Sequence, residues 1–229
     1  MGYIIHSILH FSVAACITYV FLIKHYHSMT KRTLVLCIGG IAGIIPDITK
    51  FFGDLYGHSL FLVLILGLVI MLITRKLFLE ISIVKLWLVL SFSVLSHIFI
   101  DFIGNGVALF YPFITKEYDF NIIHDDLLLY ILLIATIITI FYRKGKLVIL
   151  SSLLIVALYL GALTVSKLQL EQALNQQYKD YGINLLLTFR SSSHSEWNFM
   201  VRTNNVWVSG YSPILNQEIH IESEREVDE

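Results

Sequence analysis

Long apolar runs, separated by short polar stretches, dominate the chain up to residue 166. A helix needs about 20 apolar residues to cross the hydrocarbon core of a bilayer, and six runs reach or approach that length. They lie at about residues 3–23, 33–48, 59–74, 84–104, 126–142 and 147–166. The second and third runs are short, which suits helices that stop below the interface and line a polar pocket. The pattern predicts a polytopic membrane protein with about six transmembrane helices.

The pattern changes from residue 167 onward. Residues 168–180 predict a helix that leaves the membrane, and strand-like runs separated by turn residues follow it. These runs are INLLLTF, WNFMV and VWVSGY. The acidic end, ESEREVDE, predicts a frayed terminus. We therefore expect a transmembrane helical domain over residues 1–166 and a small β-containing C-terminal region over residues 167–229.

Composition strengthens the membrane interpretation. Hydrophobic residues make up 56% of the chain and charged residues only 14%, whereas a soluble domain carries about 25% charged residues. The net charge of −1 gives no reason to expect a nucleic-acid partner. Both cysteines lie in apolar runs, so neither a disulfide framework nor a thiolate metal site is expected.

Basic residues divide the polar loops into two sets. Loops 24–32, 75–85 and 143–146 each hold three Lys or Arg residues, whereas loops 49–58 and 105–125 hold one each. The positive-inside rule places the strongly basic loops in the cytoplasm. The fold class predicted is thus an all-α, multi-pass protein of the plasma (inner) membrane, whose β-containing C-terminal region is extracytoplasmic.

The few polar groups inside the apolar runs lie at the ends of those runs. Because a charge in lipid is costly, each ionisable residue there is a functional hypothesis. In chain order these polar residues are His6, His10, Asp47, His58, Ser59, His97, Asp101, His124, Asp125 and Asp126. They alternate between starts and ends of successive spans, so an up-and-down bundle brings them to one membrane face. The charge pattern makes that face external.

The spacing of these residues indicates a metal site. His97 and Asp101 are four residues apart and share a helix face, as do His6 and His10. Imidazole and carboxylate ligands without thiolate suit Zn²⁺, Mn²⁺ or Fe, and a catalytic site keeps one position open for water. Simpler interpretations stay open: His10 as a packed histidine, Asp47 as a helix cap, and His97 with Asp101 as an interhelical hydrogen-bonding pair.

Several segments resemble those of a known family, the membrane-bound metal-dependent hydrolases of the YdjM type, also described as LexA-binding inner-membrane-associated hydrolases. The matching blocks are IIHSILHFSVAA, GGIAGIIPDI, YGHSLFLVL, LSHIFIDFIGNGVALFYPF and NIIHDDLLLYILL, with HSEWNFMV in the tail. The resemblance covers residues 1 to about 210. It implies a metal-dependent hydrolase activity. The positions carried over are His6, Asp47, His58, Ser59, His97, Asp101 and Asp125.

The chain departs from the family pattern at two places. The family often has a second aspartate two residues after its Pro-Asp pair, where this chain has Thr49. It also often has a His-Arg pair shortly before its Thr-His-Ser motif, where this chain has FFGDLYG. His124 is a candidate to replace part of what is missing.

The leading hypothesis is a membrane-embedded hydrolase with its site at the outer face. The predicted ligands of a divalent metal, Zn²⁺ or Mn²⁺, are His6, Asp47, His58, His97 and Asp101. Asp125 or Asp101 is the predicted general base or orienting carboxylate. A site at interfacial depth suits a lipid or lipid-linked phosphoester as substrate, so membrane lipids are the expected partners. The oligomeric state is not set by the sequence.

The alternative hypothesis is a non-enzymatic membrane protein with a vestigial site. Intramembrane His and Asp residues also serve in ion or proton relays, as in transporters. Transporters place polar groups near the bilayer midplane and often show internal repeats, whereas the span centres of this chain are almost purely apolar. A stress-response factor that acts through a protein partner stays open.

Overall fold

The computed structural model describes residues 2–25, 28–50, 56–123, 127–142, 144–191, 193–216 and 218–226. Within these ranges the chain forms six α-helices followed by four β-strands. The helices are α1 (Gly2–Leu22), α2 (Met29–Lys50), α3 (Leu60–Thr74), α4 (Ile83–Gly104), α5 (Leu127–Phe141) and α6 (Gly145–Gln177). The strands are β1 (Ile183–Arg190), β2 (Glu196–Thr203), β3 (Val206–Pro213) and β4 (His220–Glu226).

The chain divides into two compact units. The first comprises Met1–Phe120 with Asp125–Val156, and the second comprises Asn121–His124 with Ala157–Glu229. The predicted division into residues 1–166 and 167–229 stays a prediction.

Each predicted apolar run contains a helix, but the predicted six membrane spans are not confirmed. Four helices in the described ranges are long and apolar enough to cross a membrane: Met29–Thr49, Leu60–Leu77, Ile83–Gly104 and Gly145–Gln177. The stretches of α1 and α5 whose side chains are described, His6–Leu22 and Tyr130–Phe141, are apolar but shorter than the roughly 20 residues that a spanning helix needs, although α1 as a whole has 21 residues. The mostly helical, membrane-type architecture is confirmed, and the described residues contain four candidate spans by length and composition.

Helices α1 and α2 pack backbone to backbone. A Cβ atom added at Gly39, Gly40 or Gly43 of α2 would overlap side chains of α1, and at Gly43 it would also lie 2.6 Å from the His10 carbonyl oxygen. Small residues at one helix face allow this approach, which is a common device in membrane helices. It places the first turns of α1 directly beside the last turns of α2.

Helix α4 is joined to its neighbours by polar and small residues. Thr18 Oγ1 of α1 and Ser93 Oγ of α4 are 2.7 Å apart and form a hydrogen bond. On the other side, Trp87 Nε1 donates to the Leu64 carbonyl oxygen of α3 at 2.9 Å, and Gly67 of α3 leaves no room for a Cβ atom against Ser91. These contacts hold the first half of α4 against both α1 and α3.

Basic side chains gather at the opposite end of the first unit. Arg32 Nη1 donates to the Tyr142 carbonyl oxygen at 3.1 Å, and Lys31 Nζ donates to the Leu77 carbonyl oxygen at 3.5 Å. The basic loops thus lie at one end of the helices, and the helix ends that carry His and Asp lie at the other. The outward orientation of the latter ends stays a prediction.

The second unit contains an antiparallel sheet in the order β1-β2-β3-β4. The three strand-like runs of the sequence form β1, β2 and β3, as predicted. The predicted frayed terminus, residues 222–229, was wrong over residues 222–226, because these belong to β4 and pair with β3. The sequence of β4, HIESERE, has almost no apolar face. Backbone hydrogen bonds alone form such an edge strand, so the hydrophobic pattern does not show it.

Helix α6 and the sheet share a core within the second unit. The helix predicted over residues 168–180 is present as far as Gln177, where it forms the last part of α6. Trp197 of β2 is fully buried, and its Nε1 donates to Ser166 Oγ of α6 at 3.0 Å. The indole N–H is thereby paired inside an otherwise apolar contact.

Candidate metal centre

Titratable side chains from α1, α2, α4 and the turn before α3 meet at one end of the first unit. Each stands at a helix end, because the antiparallel helices place starts and ends of successive elements at the same level. The members of this cluster are His6, His10, Asp47, His58, His97 and Asp101. We refer to them as the His/Asp cluster.

Asp101 lies at the centre of the His/Asp cluster. Its Oδ1 is 2.9 Å from His6 Nε2 and 3.3 Å from His10 Nε2. Its Oδ2 is 3.3 Å from the Nε2 atoms of both His58 and His97. The Asp101 side chain is only 1% exposed. A buried carboxylate needs such compensation, since an unpaired charge away from water is very costly.

The remaining distances make the cluster continuous. Asp47 Oδ1 lies 3.5 Å from His58 Nε2 and 3.6 Å from His97 Nε2. The Nε2 atoms of His58 and His97 are 3.1 Å apart, and those of His6 and His10 are 2.7 Å apart. The side chains of His6 and Asp47 are 15% and 20% exposed, whereas the other members are buried. The cluster is thus reached from outside beside His6 and Asp47.

The backbone of α2 orients one of the histidines. His97 Nδ1 donates to the Gly43 carbonyl oxygen at 2.7 Å, so in the neutral ring the lone pair is on Nε2. That lone pair faces Asp101 Oδ2, which also only accepts. Two acceptors at this distance repel each other unless a proton or a metal ion lies between them. A carbonyl that fixes the tautomer in this way is typical of metal-binding histidines.

The donor set therefore fits a divalent metal. Three groups have ligand atoms that all lie within 4.8 Å of one another: His6–His10–Asp101, His10–Asp47–His97 and His58–His97–Asp101. Nitrogen and carboxylate oxygen ligands without thiolate suit Zn²⁺ or Mn²⁺.

All five predicted metal ligands lie in the His/Asp cluster, and their role as ligands stays a prediction. Asp125, predicted as a general base, lies outside the described residues, as do His124 and Asp126. Asp101 was assigned both a ligand and a base role, and its position among four imidazoles supports the former. Thr49, which stands where the family often has an aspartate, donates to the Pro46 carbonyl oxygen at 2.9 Å.

Three further residues belong to the centre and were not selected from the sequence. His10 was left undecided, although its i+4 spacing from His6 is a usable signal. Asn105, four residues after Asp101, has its Nδ2 3.0 Å from His6 Nε2. Gly43 contributes a backbone carbonyl, for which no side-chain pattern gives a signal.

Ser59 supports the centre without facing it. Its Oγ donates to the Tyr111 carbonyl oxygen at 2.6 Å and accepts from the Phe61 N–H at 3.3 Å, which makes it the N-cap of α3. The Leu60 N–H also donates to the Leu109 carbonyl oxygen at 3.1 Å. These bonds fix the start of α3 against the loop that follows α4 and thereby hold the neighbouring His58 in place.

We expect Ser59→Ala to lower the free energy of unfolding by about 1 kcal/mol, the usual cost of losing an N-cap. Bound metal should be retained, because Ser59 is not a ligand. Thermal denaturation in detergent and metal analysis measure the two effects. Ser82→Ala is the matched control, since Ser82 caps α4 by accepting from the Lys85 N–H. Loss of metal in Ser59→Ala alone would contradict the capping role.

Comparison with known proteins gives one match. Residues 5–170 match a family model described as YdjM inner membrane protein. No curated protein matches the chain, and no solved structure does. The matched range includes every described residue of the His/Asp cluster.

Proposed function

The chain belongs to the YdjM inner membrane protein family, and from that premise and the geometry of the His/Asp cluster we propose that it is a metal-dependent hydrolase. Its substrate is a lipid or lipid-linked phosphoester, reached at the extracytoplasmic face of the membrane. Membrane location follows from the family and from the apolar helices. The activity, the metal and the sidedness are the proposal.

One observation carries the proposal, the set of four imidazoles around the buried carboxylate of Asp101. A cluster that served only for packing would leave most of these polar groups in water or would use amides and hydroxyls. Burial of one carboxylate with four histidines is instead typical of a site that holds cations. When bound, a divalent ion supplies a Lewis acid and an activated water at neutral pH.

The residues around the cation site have separable tasks. Gly43 O holds the His97 ring so that Nε2 faces the centre. Asp101 holds the four histidines together and supplies the negative charge that offsets a bound cation. The exposed edges of His6 and Asp47 admit water and substrate. The proton acceptor predicted from the sequence, Asp125 or Asp101, stays a prediction.

The surroundings of the centre support a substrate that lies in the bilayer. Phe61, two residues after Ser59, is 53% exposed, and Phe113 of the loop after α4 is 79% exposed. Their rings lie edge to face with centroids 5.3 Å apart. Exposed apolar groups of this size mark a surface that meets lipid or another apolar partner. The positive-inside rule places this end outside the cell.

The test uses the full chain, purified in detergent, stripped by a chelator and dialysed against Zn²⁺ or Mn²⁺. We expect tight binding in the wild type and an affinity lowered by about 100-fold in His97→Ala, which removes a ligand together with its link to Gly43. His220→Ala is the control, because His220 lies in β4 and is 43% exposed. Hydrolysis of a panel of phospholipids and lipid-linked phosphates is measured on the same samples.

Each result bears on a specific part of the proposal. Metal in the wild type, together with hydrolysis that His97→Ala abolishes, supports it. A well-folded wild type that binds neither metal overturns it and favours the non-enzymatic, partner-binding alternative. Metal binding without hydrolysis of any lipid in the panel overturns the lipid phosphoester substrate.

A further inference from the structure

We propose that the His/Asp cluster holds two metal ions, bridged by the carboxylate of Asp101, at one closed and one open position. This inference rests on the metal binding proposed above and adds the number of ions, their ligands and the division of labour between them. It concerns residues of the first unit alone.

The two oxygens of Asp101 face different pairs of histidines. Oδ1 is within 3.3 Å of His6 and His10, both on α1. Oδ2 is 3.3 Å from His58, which precedes α3, and from His97 on α4. A carboxylate that served one ion would direct its oxygens to a single ligand set. Two sets, one on each oxygen, are the arrangement of a bridging carboxylate.

Five ligand–ligand distances in the set on Oδ2 fit a tetrahedral site. An ion with bonds of about 2.1 Å places its four ligand atoms about 3.4 Å apart. The Nε2 atoms of His58 and His97 are 3.1 Å apart, and each is 3.3 Å from Asp101 Oδ2. Asp47 Oδ1 is 3.5 and 3.6 Å from the same two nitrogens. His58, His97, Asp101 and Asp47 would supply four ligands to one ion, and we name this set the closed position.

The set on Oδ1 has fewer protein ligands. The Nε2 atoms of His6 and His10 are 2.7 Å apart and lie 2.9 and 3.3 Å from Asp101 Oδ1. Three protein ligands leave a fourth coordination site for water, as catalytic positions do. His6 is partly exposed, and Asn105 Nδ2 lies 3.0 Å from its Nε2. We name this set the open position, and Asn105 is placed to contact whatever occupies the fourth site.

The ring geometry argues against a single shared ion. His10 and His97 belong to different sets, and their rings stack with centroids 3.8 Å apart and planes at 24°. A metal lies near the plane of its imidazole, at about 2.1 Å from the nitrogen. Planes that are nearly parallel at this separation do not meet within that distance. The stacked rings therefore favour two neighbouring ions over one shared ion.

Two ions also narrow the reaction class. Two neighbouring metal ions, roughly 3.5–4 Å apart, stabilise both the attacking and the leaving oxygen of an in-line displacement, as phosphoester hydrolysis requires. The open position keeps a coordination site for water, whereas the closed position has four protein ligands. The arrangement thus favours a phosphoester over a carboxylic ester within the substrate class proposed above.

The experiment measures stoichiometry and coupling on the full chain in detergent, after the protein has been stripped and reloaded with Mn²⁺. We expect two Mn²⁺ per chain and an exchange-coupled electron paramagnetic resonance spectrum, since a bridging carboxylate couples the two spins. His10→Ala should lower the content to one ion, and His58→Ala should do the same from the other side. Both variants should give the spectrum of an isolated ion.

His220→Ala is the control for effects unrelated to the cluster. His10→Gln and His58→Gln keep side-chain volume and guard against a loss of metal that is caused by misfolding. One ion in the wild type overturns the two-ion arrangement and leaves the hydrolase proposal standing. No ion in the wild type overturns both. Two ions that remain coupled in both His10→Gln and His58→Gln also overturn the ligand assignment.

Discussion

Asp101→Asn is expected to remove bound metal from the whole His/Asp cluster. The amide keeps the shape of the carboxylate but carries no charge and replaces one acceptor oxygen with a donor group. Asp101 is within 3.3 Å of four imidazoles, so no other single substitution touches both metal positions. We expect an affinity at least about 100-fold weaker, since changes in the supporting shell alone cost 10–100-fold.

Two measurements check this expectation. Metal analysis after dialysis gives the content directly. Thermal denaturation gives it indirectly, because a ligand that binds only the folded state stabilises it by about 2.7 kcal/mol at 100 times its Kd. Added Zn²⁺ or Mn²⁺ should therefore raise the midpoint of the wild type and leave that of Asp101→Asn unchanged. Asp119→Asn, an exposed change in the loop after α4, should behave like the wild type.

An Asp101→Asn variant that keeps its metal within about threefold of the wild-type affinity would contradict the central role of this carboxylate. The histidines would then bind the ion without it, and the pairing of Asp101 with four imidazoles would be a structural ion-pair network. Such networks also occur in proteins, and the substitution separates them from a metal centre because only the latter responds to added ion.

The helices and the composition of the cluster are predictable from the sequence for a simple reason. Apolar runs specify helices in a membrane protein, and an antiparallel order brings alternate ends together. His6, Asp47, His58, His97 and Asp101 follow from that argument alone. The number of spans does not follow from that argument. The described apolar stretches of α1 and α5 are shorter than a bilayer crossing.

Other features depend on contacts that no local pattern encodes. The carbonyl of Gly43 orients His97 across 54 positions of the chain, and a glycine in an apolar helix gives no hint of that bond. The division of Asp101 between two histidine pairs depends on its side-chain angle. The hydrophobic pattern does not predict strand β4, because the strand is defined by backbone pairing with β3 and not by an apolar face.

Gly43→Ala is expected to weaken both the fold of the first unit and the metal centre. The added methyl group would overlap Ala14 Cβ and lie 2.6 Å from the His10 carbonyl oxygen. The helices α1 and α2 must then move apart, and overpacking of this kind costs about 1–3 kcal/mol. Movement of α2 also displaces the carbonyl that holds His97, so metal affinity should fall by a further 10–100-fold, roughly the cost of losing an outer-shell partner.

The matched control is Gly161→Ala, in which the added Cβ has no atom within 4 Å. That substitution should leave metal affinity unchanged and raise helix stability by up to about 1 kcal/mol, the difference in propensity between the two residues. Thermal midpoints in detergent and metal titrations on both variants separate steric overlap from the general effect of replacing glycine.

A second substitution identifies which overlap matters. Ala14→Gly in the Gly43→Ala background removes the methyl–methyl overlap but leaves the overlap with the His10 carbonyl oxygen. Because the two sites are in contact, their effects should not be additive, and the double variant should regain part of the stability lost by Gly43→Ala. Metal affinity should stay low, because the remaining overlap with the His10 carbonyl oxygen still holds α1 and α2 apart. The Gly43 carbonyl that orients His97 therefore stays displaced. Recovery of metal without recovery of stability would contradict the role of the Gly43 carbonyl.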